Sequence, residues 1–80
     1  QPEGSGYVVQ VAGCESPDYA EYLVKLYGKR GYEAFQTTAT VDGQLFYRVR
    51  VGLYETEAEA AAIRDQLLDR YSVEGWIDRQ

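Results

Sequence analysis

Histidine, methionine and asparagine are absent from this 80-residue chain, and cysteine occurs once. Without imidazole, no Ser/His or Cys/His nucleophile pair can form. One cysteine permits no internal disulfide and no CxxC pair, so cysteine usage assigns no redox compartment. Cys14 has no cation or base close to it in sequence and reads as a small packing residue. No cluster of ligand-type residues has metal spacing, and no glycine-rich loop could cradle a phosphate. These absences exclude an enzyme reading and predict neither a metal nor a cofactor. Basic residues are few, with eight Lys and Arg against 13 Asp and Glu, a net charge of −5 and a pI near 4.5. A phosphate backbone needs a net basic footprint, so a nucleic-acid partner is not expected. No apolar run approaches the ~20 residues of a membrane span, and no signal-peptide pattern appears, so this fragment is not expected to insert into a membrane.

The remaining composition is that of a folded globule: 45% hydrophobic and 14% aromatic residues, with eight tyrosines. A single domain of this size hides only about 60–65% of its unfolded surface, so its core is thin. Tyrosine, bulky with a polar tip, fills such a core from the rim. Residues 1–6, QPEGSG, read as a linker or an expression remnant. Residues 7–80 read as the domain, a monomeric piece of a larger protein.

The stretch Tyr47–Tyr54, YRVRVGLY, organises the rest. Tyr47, Val49 and Val51 alternate with Arg48 and Arg50, which makes a strand with one apolar face and one carrying two guanidiniums. Forty residues upstream the pattern recurs. Tyr7/Tyr47, Val9/Val49, Val11/Val51, Glu15/Glu55, Ala20/Ala60 and Arg30/Arg70 are identical at one constant offset. This predicts a duplicated strand–helix unit, with residues 7–30 equivalent to 47–70 and the two strands adjacent and parallel.

Along the chain, the first strand is expected at Tyr7–Ala12. Ser16 is an N-cap, Pro17 suits the first helical position, and Ala20, Leu23, Val24 and Tyr27 form the buried stripe of a helix that Gly31 ends. A second strand, Tyr32–Thr40, meets Gln44–Val51 through an Asp42–Gly43 hairpin. Thr56 and Glu59 form a capping box for a second helix packed through Ala60, Ile63 and Leu67. The last strand is expected at Ser72–Asp78. The order βαββαβ gives an α+β, ferredoxin-like (RNP-like) fold: a four-stranded antiparallel sheet with both helices on one face and strands one and three at its centre.

That leaves the other sheet face uncovered. By parity it carries Val8, Gln10, Phe46, Arg48 and Arg50, with Phe35 on one edge strand and Trp76 on the other. Two arginines on a strand face are commonly just solvated, and an aromatic can be hidden by a strand slip or a loop. Several aromatics with arginine and glutamine on one open face instead describe a shallow platform for a flat, polar, anionic polymer. Glu33, Glu74 and Asp78 share the parity and oppose this at the edges. Single-stranded RNA binding is an alternative, because the same topology stacks bases on its open face. However, YRVRVG lacks the stacking aromatics of the RNA-recognition strand motif. A protein-interaction module using the Phe35/Trp76 face is another alternative.

YVVQVAGCESPDYAEYL, GYEAFQ and YRVRVGLYETEAEAAAIRDQL, taken in order, resemble a SPOR domain, a bacterial cell-envelope module that binds peptidoglycan. The resemblance covers nearly all of Tyr7–Asp78. It implies a βαββαβ fold with a pseudo-repeat and a glycan site on the sheet face away from the helices. Gln10 matches the family's first-strand glutamine, Arg48 and Arg50 its third-strand positions, and Trp76 a last-strand aromatic; parity adds Phe35. The chain departs from the family at Ala12-Gly13-Cys14, which stands for a common Gly-Ser-Phe, and at Leu53-Tyr54, which stands for Pro-Phe. The resemblance further implies non-catalytic binding of glycan strands that lack stem peptides. It also implies a periplasmic location and targeting of a cell-envelope or division protein to the septum.

Overall fold

The computed structural model describes residues 6–80. Of the expected lead-in, residues 1–5 lie outside the described residues. Gly6 is fixed by paired backbone hydrogen bonds with Gln80: Gly6 N–H to Gln80 O at 3.3 Å and Gln80 N–H to Gly6 O at 2.8 Å. The elements are β1 (Tyr7–Cys14), α1 (Pro17–Lys29), β2 (Ala34–Val41), β3 (Gln44–Tyr54), α2 (Glu57–Tyr71) and β4 (Trp76–Arg79). They form one antiparallel sheet in the order β2-β3-β1-β4. The expected fold class and the central placement of strands one and three are therefore met.

Local chemistry sets the element ends. The Ser16 side chain accepts from the Tyr19 N–H, and Thr56 accepts from the Glu59 N–H at 3.1 Å. These N-caps lie forty residues apart, as the duplication requires. The Glu59 carboxylate accepts from the Thr56 hydroxyl at 3.3 Å rather than from its backbone N–H. Gly31, at φ 96°, takes the left-handed step after α1, and the Tyr32 N–H then reaches back to Tyr27 O. Asp42 and Gly43, both at positive φ, make the tight hairpin that pairs Val41 with Gln44.

Three expectations need correction. First, β1 and β3 are adjacent but antiparallel. Each helix returns the chain to a strand parallel to the one before it, and the single hairpin between the repeats reverses direction. The two halves are thus related by an approximate two-fold rotation. Second, β4 begins at Trp76, not Ser72. Ser72 takes a left-handed conformation (φ 56°) as the cap of α2, a position where sequence shows no glycine to mark it. Third, β1 runs on to Cys14, because Ala12, Gly13 and Cys14 pair with Val49, Arg48 and Tyr47.

The core lies between the sheet and the helices. Val9, Val49 and Val51 from the central strands meet Ala20, Leu23 and Tyr27 of α1 and Ala60 and Leu67 of α2. Ala20 and Ala60, equivalent in the two repeats, are both fully buried. Their single methyl groups let each helix approach the sheet. Cys14 packs at the edge of this core, and its Sγ lies 3.5 Å from Ser16 O, consistent with a packing role.

Candidate functional site

The face opposite the helices is organised as rows across the strands. Directly opposed residues of neighbouring strands place their side chains side by side on one face. The register pairs Phe35 with Arg50, Arg50 with Gln10, and Gln10 with Trp76. Four of the five residues singled out by sequence therefore stand in a single line that crosses the whole sheet, from β2 through β3 and β1 to β4. The fifth, Arg48, lies one row away on the same face, between Thr37 and Gly13.

A register shift in β1 between Gln10 and Ala12 makes this second row. The extra residue reverses the alternation of β1, so Gly13 instead of Ala12 faces Arg48. Period-two alternation contains no signal for such a bulge. Its effect is an open spot beside the row: a Cβ at Gly13 would meet only the Gln10 amide nitrogen, at 3.9 Å.

The row differs sharply in exposure along its length. Phe35, Gln10 and Arg50 keep only 6%, 5% and 7% of their surface, whereas Trp76 keeps 53%. The expectation that Phe35 stands open on an uncovered face is not met, nor is it for Arg50. Their cross-strand neighbours enclose them, and Val8 on the same face is fully buried. Arg48 and Phe46 are half-buried.

The Arg50 guanidinium is held within the fold. One terminal nitrogen donates to Asp78 Oδ2 at 2.8 Å and to Gln10 Oε1 at 3.2 Å, while its Nε is buried without an acceptor. Asp78, in turn, is fixed by the Arg79 N–H on its other oxygen. Sequence parity had set Asp78 against the platform as an unwanted negative charge. In the fold it neutralises Arg50. Because Gln10 Oε1 accepts from Arg50, the amide of Gln10 presents its NH₂ as a donor toward Gly13. Arg48 has no ion-pair partner among the described residues. The chemistry left at the surface is thus an exposed indole and a half-buried guanidinium without an ion pair, beside the nearly buried, oriented amide of Gln10.

Among the described residues no group of His, Cys, Asp and Glu could hold a metal, and no helix is long and apolar enough to cross a membrane.

The SPOR domain family model matches residues 3–77. No curated protein matches the chain. Among solved structures, the SPOR domain of RlpA from Pseudomonas aeruginosa is similar over 94% of this chain and all of its own length. It shares 26% identity at a TM-score of 0.75. The peptidoglycan binding domain of the Bacillus subtilis cell wall lytic enzyme CwlC shares the fold at 15% identity and a TM-score of 0.69, with 100% of this chain and 95% of that one covered.

Proposed function

Because the chain belongs to the SPOR domain family, we propose that it is a non-catalytic module that binds peptidoglycan glycan strands through the open face of its sheet. The supporting observation is the Phe35–Arg50–Gln10–Trp76 row with Arg48 beside it. An indole offers a flat apolar surface on which sugar C–H faces stack. Arg48 is a rigid donor fork suited to a carboxylate, and the Gln10 amide is a donor for an N-acetyl or hydroxyl oxygen. Arg50 acts through Gln10, whose orientation it holds, and Phe35 packs the end of the row. The domain spans residues 7–80 on this reading, and it carries a larger cell-envelope protein, periplasmic and acting in division at the septum, to its place.

The preferred ligand is glycan lacking stem peptides. The stem peptide is attached through the lactyl carboxyl of every second sugar. Its removal clears bulk above a shallow sheet face and frees a carboxylate for Arg48 to bind by charge-assisted hydrogen bonds. Each contact is weak, so affinity grows with the number of sugars engaged. Purified sacculi test this reading. Binding rises after amidase treatment, is not displaced by RNA, and falls about tenfold in Arg48→Ala and Trp76→Ala, the loss expected when one good contact worth roughly 1.4 kcal/mol is removed. Equal binding to treated and untreated sacculi removes the stem-peptide preference. Undiminished binding in both variants moves the site off this face.

A further inference from the structure

A concave pocket of about 530 Å³ shares none of its lining with the four residues of that row or with Arg48. It opens where the end of α1, the lead-in to β2, the end of β3 and the middle of α2 meet. Arg30 and Arg70, the same position in the two repeats, both line it. Neither forms an ion pair among the described residues. The Arg30 guanidinium lies 4.0 Å over the Tyr71 ring and 5.5 Å from that of Tyr27. Stacking uses the flat face of the guanidinium and leaves its N–H edge available.

Apart from Glu33, the other polar side chains of the pocket carry donors too. Tyr32 donates its hydroxyl proton to Gln66 Oε1 at 2.5 Å, which leaves the Gln66 NH₂. The Tyr54 hydroxyl makes no side-chain hydrogen bond among the described residues. Burial, reinforced by Tyr32 and Glu33 nearby, pushes its pKa up to about 12, so it keeps its proton. Glu33 is the one acidic side chain in the lining, and Leu53 and Ile63 give it an apolar wall. In a chain of net charge −5, this is a local surplus of positive charge and N–H and O–H donors.

We propose that this pocket binds a monoanionic carboxylate carrying a short apolar or amide chain, such as the C-terminus of a short peptide. A carboxylate matches the planar fork of a guanidinium, and the Gln66 NH₂ can take an adjacent amide oxygen. Glu33 disfavours a second negative charge and so selects against phosphate.

The probe is N-acetyl-Ala-Ala, titrated into the isotope-labelled chain and followed by NMR, with its C-terminal amide and inorganic phosphate as comparisons. Saturable shifts at Gly31, Tyr32 and Tyr54 are expected with the acid, and binding about tenfold or more weaker with either comparison, the loss of one charge-assisted pair. Arg70→Gln, which leaves the Arg30 stack intact, is expected to weaken the acid by a similar factor while retaining the native spectrum elsewhere and full binding to sacculi. Absence of saturable shifts at millimolar peptide, equal response to the amide or to phosphate, or unchanged affinity in Arg70→Gln overturns the proposal. The sacculus arm keeps this result separate from that of the sheet face.

Discussion

A guanidinium enclosed on a sheet face must place its donors inside the protein, and Arg50 places them on Asp78 and Gln10. Arg48, two residues away on the same face, does not. The two arginines therefore answer differently to truncation. Arg50→Ala leaves the buried Gln10 oxygen without a donor and is expected to cost about 1–3 kcal/mol. Arg48→Ala is expected to cost less than about 0.5 kcal/mol. Thermal melts of the two variants check this, and a large loss in Arg48→Ala would mean the strand parity is wrong. Alternation in YRVRVG was enough to put both arginines on one face. It could not distinguish them, because the distinction depends on Asp78, a partner 28 residues further along the chain.

Each secondary-structure element was legible where its chemistry is local. Ser16, Pro17, Gly31, Asp42–Gly43 and Thr56 mark their boundaries in the sequence, and each is where the backbone turns. The helix stripes were also legible, though unevenly: Leu67 is fully buried while Ile63, from the same stripe, is half-buried. The start of β4 and the bulge in β1 were not legible, since the first depends on a left-handed serine and the second on pairing with β3. Packing of these elements can be tested at two points. Leu67→Ala is expected to cost about 2–4 kcal/mol, the usual range for a buried leucine. At Gly75, just before β4, an added Cβ would come within 2.7 Å of Val9 Cγ1 and 3.1 Å of Gln10 O. Gly75→Ala must therefore push β4 from β1 and is expected to cost about 1–3 kcal/mol, as overpacking does. Denaturant midpoints measure both. A Gly75→Ala variant as stable as the parent would show that β4 docks more loosely than described.

For the molecule as a whole, stability at high pH rests on phenols. The Tyr54 pKa is pushed up to about 12 and that of Tyr27 is raised, in both cases chiefly by burial. A folded pKa above the unfolded 10.0 means that the fold favours the neutral phenol. The Tyr54 contribution is present in full below the unfolded pKa and is lost as pH climbs through the window from about 10 to 12. Urea midpoints should fall across that window, and Tyr54→Phe should flatten the fall; an unchanged slope would place the titration elsewhere. The topology was legible from the duplication, although the direction of β1 against β3 requires counting reversals along the chain. The paired hydrogen bonds between Gly6 and Gln80 set both ends of the described chain side by side, at one end of the β1·β4 pair. A tension drawn through those two ends would not shear the sheet but unzip it, one pair at a time, from Tyr7–Arg79 toward Gln10–Trp76. Asp78 would be drawn from Arg50 and Ile77 from the core beside Val9 before Trp76 parted from Gln10, so the indole would be the last member of the row to let go.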